Sequence, residues 1–135
     1  MNLSGKARYM VGLIVVFIIA DFFLTPLGGL ETRNVSNVSS TGIATLGLLF
    51  TGLGLNVICA VLLLRHYRRA PLFGVIGSLL YFPAPIAELA GQFSSQTPPA
   101  AIASLEVIES IIAISVIVMG ALLLREKSEA PMKPV

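Results

Sequence analysis

Four long apolar runs separated by short polar stretches dominate the chain, over residues 9–27, 42–64, 72–90 and 100–124. Each holds about 19 to 25 residues, and a helix needs about 20 to cross the hydrocarbon of a bilayer. Helices are the default spanning structure because they close their own backbone hydrogen bonds. The strict alternation expected of membrane barrel strands is absent. The pattern predicts an all-α protein, an integral membrane four-helix bundle formed as one domain by residues 1–125, with a short disordered tail over 126–135. The first run has the basic start and apolar core of a signal peptide. However, Asp21 follows it directly and Ile18 sits where cleavage after Ala20 needs a small residue, so it is read as a retained helix.

The polar stretches set the expected orientation. Lys6 and Arg8 precede the first run, Arg65, Arg68 and Arg69 lie between the second and third, and Arg125, Lys127 and Lys133 follow the fourth. The other two loops hold Arg33 alone. By the positive-inside rule this eight-to-one asymmetry puts both termini in the cytoplasm of a multi-pass protein of the cell membrane. The first outer loop carries two Asn-X-Ser sequons, at Asn34 and Asn37. Ser40 or Thr41 is placed to cap the second helix, and Pro98-Pro99 suits the start of the fourth.

Composition changes this picture little. Only 12% of residues are charged, against about a quarter in soluble domains, which leaves no separate soluble domain to account for. The net charge of +2 does not imply a nucleic-acid partner. The basic residues flank apolar runs and form no basic face with interleaved aromatics. Membrane lipids are the expected partners of the Arg65–Arg69 cluster. Cys59, the single cysteine, reads as a small packing residue, and His66, the single histidine, as an interfacial one. Neither suggests a metal site or a cofactor, and no phosphate loop, nucleophile elbow or triad is present, so no catalytic residue is assigned.

The informative residues are the acids inside the apolar runs: Asp21, Glu88, Glu106 and Glu109, with no basic residue among them in those runs. A charge at mid-bilayer costs about 2.5–3.5 kcal/mol on insertion scales, so such residues face a bundle interior or a wet cavity. Counting helical rise from the nearest inner basic residue puts Asp21 about 20 Å, Glu109 about 24 Å, and Glu88 and Glu106 about 28 Å from the inner surface. All four fall in the outer half of a core about 30 Å thick. Glu106 and Glu109, three apart, share a helix face.

Two polar stripes run toward the same level. Ser78, Tyr81, Pro85 and Glu88 fall at one-face spacing in the third run, and Thr45, Gly52, Asn56 and Ala60 in the second. Pro83 and Pro85 are expected to break the third helix, which is tolerated where the freed backbone is buried or lines a cavity. The candidate ligand- or proton-binding set is Asp21, Glu88, Glu106, Glu109, Tyr81 and Asn56.

The first functional reading is therefore a small membrane protein that binds or transports a cationic or lipophilic ligand, or a proton, through an outward-facing acidic cavity. At this size it would act as a homo-oligomer. The alternative is a non-catalytic subunit of a larger membrane complex, docked on partner subunits through the small-residue face of the second helix. An intramembrane enzyme using two carboxylates ranks last. Small multidrug transporters also have four helices and an intramembrane acid, but theirs falls early in the first helix, and here Asp21 falls late.

Overall fold

A computed structural model of the chain describes residues 3–33 and 38–129. It contains α1 (Gly5–Leu24), a single 3-10 turn (Pro26–Gly28), α2 (Ser40–Leu64), α3 (Ala70–Leu79), α4 (Pro83–Leu89) and α5 (Ala100–Glu129). With α3 and α4 counted together, four helices are long and apolar enough to cross a membrane, the organisation of a multi-pass membrane protein. Asn34 and Asn37, the sequon asparagines, lie outside the described residues.

The helix ends follow local chemistry. Ser4 Oγ accepts from the Ala7 N–H at 3.2 Å and starts α1, four residues earlier than the apolar run suggests. The start of α2 differs from expectation, because its cap is Ser39 and not Ser40 or Thr41. Ser39 Oγ accepts from the Gly42 N–H at 3.0 Å and donates to Gln92 Oε1 at 2.6 Å. The second contact joins two loops far apart in sequence and selects one of three adjacent hydroxyls. At its other end α2 stops on His66, which sits at φ 58°. There the Tyr67 N–H reaches the Leu62 carbonyl and the His66 N–H the Leu63 carbonyl, the double closure of a left-handed helix terminus. The fourth helix continues to Glu129, so residues 126–129 of the expected tail are helical. No helix breaker precedes Pro131, and Glu126 is paired with Lys6 of α1.

Pro83 and Pro85 bring no N–H groups, and the third span breaks as expected between Leu79 and Pro83. Three- and four-residue hydrogen bonds bridge the gap, including Tyr81 N to Ser78 O at 3.3 Å and Ala84 N to Tyr81 O at 3.2 Å. The break redirects the chain. α3 packs on both α2 and α5, whereas α4 packs chiefly on α2. With α1 against α5 and α2, the helices form a ring.

The centre of that ring is built from heptad-spaced stripes. Ala7, Met10, Ile14, Phe17 and Asp21 form the buried face of α1, and Ile102, Glu109, Ala113, Val116, Gly120 and Leu123 that of α5. Large apolar side chains such as Val16, Ile19, Ile108, Ile111 and Ile114 point outward and are about half exposed, a surface suited to hydrocarbon. α2 and α3 cross most closely at Gly52 and Gly77. A β-carbon at Gly52 would come within 2.3 Å of the Gly77 carbonyl oxygen, and one at Gly77 within 2.5 Å of the Gly52 carbonyl oxygen. Only glycine on both helices permits this approach, the close packing that small residues allow between membrane helices.

Two substitutions test this packing by thermal unfolding in detergent. Gly77→Val drives its side chain into backbone and is expected to destabilise by more than about 2 kcal/mol. His66→Gly relieves the left-handed backbone and is expected to stabilise by about 0.5–1 kcal/mol.

Candidate functional site

One end of the bundle holds the start of α1, the end of α5 and the 65–69 loop, and the other holds the loops after α1 and α4. At the second end lies a cavity of about 610 Å³, within the usual range for small-molecule sites. It opens where α4 turns away, between Ala84, Pro85 and Glu88 of α4, Ile102 and Glu106 of α5, and Asp21 and Leu24 of α1. Leu46, Leu49 and Phe50 of α2 and Phe93 of the following loop complete its apolar walls.

The helical faces that bury the core also aim the acids. Asp21 ends the buried stripe of α1 and is 5% exposed. Glu109 lies on the buried stripe of α5 and is fully buried. Their carboxyls interact directly, Asp21 at the cavity wall and Glu109 behind it. Beyond that mutual contact, Asp21 Oδ2 and both Glu109 carboxyl oxygens receive no hydrogen bond among the described residues. Glu106, about one turn nearer the start of α5, lines the cavity half-buried. Tyr81, in the break, packs edge-on against Phe17 at 5.4 Å and donates its hydroxyl to the Glu106 carbonyl at 3.1 Å. Ser110 Oγ donates to the same carbonyl at 2.8 Å.

Glu88 is placed by an ion pair that helix periodicity does not reveal. Arg33 reaches from the first loop, its Nη1 2.5 Å from Glu88 Oε1. The other side of its guanidinium grips Glu31 as a fork, Nε to Oε1 and Nη2 to Oε2 both at 2.8 Å. The Arg33 and Glu31 side chains are only 6% and 5% exposed. The Arg33 contact holds the Glu31 carboxyl below the usual glutamate range, and Glu31, followed by Glu88, holds the guanidinium more firmly charged.

The structure thus brings Asp21, Tyr81, Glu88 and Glu106 to one cavity, with Glu109 against Asp21. It does not bring Asn56. That side chain is buried outside the lining, where Ser78 Oγ lies 3.4 Å from Asn56 Oδ1 and links α3 to α2. Its helical spacing gave its face correctly, but Asn56 lies on a part of that face covered by α3. The sequence reading missed Glu31 and Arg33. The signal was the single basic residue in the two loops, set opposite four intramembrane acids. Among the described residues, no group of three or more His, Cys, Asp or Glu side chains is placed to hold a metal ion.

Residues 6–133 match a family described as a domain of unknown function, DUF8051. The chain belongs to the DUF8051 family. The match spans all four helices, so the DUF8051 unit contains the cavity and every acid around it. No curated protein and no solved structure matches the chain significantly.

The Glu31–Arg33 contact is expected to weaken in acid. Because the folded-state Glu31 pKa is lowered, its contribution is present above the ordinary glutamate value of about 4.3 and is lost as pH falls through the lower folded value. Backbone hydrogen exchange around residues 31–33 is therefore expected to be slow at neutral pH and to accelerate below about pH 4, after correction for intrinsic rates. Arg33→Gln should show the fast exchange already at neutral pH.

Proposed function

We propose that this protein binds, and as an oligomer transports, an amphiphilic organic cation through the acidic cavity. The observation that carries the reading is the Asp21–Glu109 pair: two buried carboxyls in contact with each other, whose buried oxygens have no other partner among the described residues, beside an apolar cavity large enough for a small molecule. Two carboxyls so placed need a proton, a cation or a donor between them. Arg33 already neutralises Glu31 and Glu88 on the loop side. Asp21 and Glu106 are the wall carboxyls left to meet a positive ligand, and a proton competes with it at the Asp21–Glu109 pair. The apolar walls suit a lipophilic body.

We place the cavity on the non-cytoplasmic side of the cell membrane, with both termini cytoplasmic, because eight of nine basic residues fall in the terminal segments and the 65–69 loop of the sequence. The subunit reading relied on the small-residue face of α2 as a docking surface. Gly52 on that face is filled by α3 within the chain, which favours the ligand reading.

The test is equilibrium binding of phenethylammonium to the purified protein in lipid nanodiscs, with empty discs as background. Saturable binding is expected, weakened about tenfold or more in Asp21→Asn, because a buried charge contact is lost. Wild-type protein that binds no more than empty discs would overturn the reading.

A further inference from the structure

Resting on that reading, we propose that the cavity selects protonated primary amines over amines without N–H groups, the ammonium donating to the Asp21 and Glu109 carboxyls. Hydrogen-bond donors and acceptors around the pair do not balance. Asp21 Oδ2, Glu109 Oε1 and Glu109 Oε2 are buried and, apart from the contact of the two carboxyls with each other, receive no hydrogen bond among the described residues, and an ionised carboxylate only accepts hydrogen bonds. The donors around the cavity are committed elsewhere. The Tyr81 and Ser110 hydroxyls both donate to the Glu106 carbonyl, and Arg33 spends its fork on Glu31 and its remaining nitrogen on Glu88. The site is therefore rich in acceptors and short of donors.

A primary ammonium brings three N–H groups on one compact charge, where the pair alone has a single shared proton to offer its buried oxygens. A quaternary ammonium has the same charge and no N–H, so it leaves those acceptors unpaired. A site built around hydrogen bonding rejects such an analogue far more strongly than a merely apolar pocket would. The head group enters at Asp21, which lines the cavity, and takes the place of the proton between that carboxyl and Glu109. The body of the amine lies against Leu49, Phe50, Phe93 and Ile102.

The experiment compares phenethylammonium with its N,N,N-trimethyl derivative in competition binding to the full chain in nanodiscs at constant pH. The expected result is a preference of tenfold or more for the primary amine. A smaller ratio, with both ligands bound, overturns the donor requirement and leaves the cation reading standing. Binding of neither removes the cation reading itself. In Glu109→Gln the side-chain amide supplies its own N–H groups to Asp21. There the preference is expected to fall below threefold through loss of primary-amine affinity, while the trimethyl derivative binds as before. An unchanged preference in that variant would overturn the part assigned to Glu109.

Discussion

A carboxyl in an apolar bundle has to find a partner or face a cavity, and the organisation of one end of this protein follows from that constraint. The heptad stripes that bury Met10, Ile14 and Phe17 carry Asp21 inward, and the stripe of Ala113 and Val116 carries Glu109 toward it. Glu88 is held by Arg33, drawn in from a loop, and Glu106 lines the cavity wall. The same inward faces serve two purposes: at the basic end they make a packed core, and at the acidic end they make a site.

The two ends are separated by backbone chemistry. α2 and α3 meet at Gly52 and Gly77 with almost no side chain between them. Beyond that crossing the prolines interrupt the third span, and α4 continues along α2 without repeating the α3–α5 packing. Close approach below and divergence above make room for the cavity without an extra helix. Tyr81 stands at the junction, tying the broken span to α5 through the Glu106 carbonyl.

The parts of this arrangement governed by periodicity were legible in the sequence. The four spans follow from run length, the break from Pro83 and Pro85, the inward direction of Tyr81 and Glu88 from one-face spacing, and that of Asp21 and Glu109 from the cost of a charge facing hydrocarbon. What spacing does not encode is which part of a face another helix covers, and Asn56 was placed in the site for that reason. Loop contacts have no period at all. The Arg33 fork and the choice of Ser39 over its neighbours as a cap each depend on a residue brought close only by the complete fold, Glu88 in one case and Gln92 in the other.

The central claim is that Asp21 and Glu109, on different helices, act as one binding site. A double-mutant cycle on phenethylammonium affinity, with Asp21→Asn, Glu109→Gln and the pair, tests it most directly. The account expects strongly non-additive losses, with a coupling of at least about 1 kcal/mol, as for residues in contact. Losses that add within about 0.3–0.5 kcal/mol, the behaviour of independent sites, would contradict it.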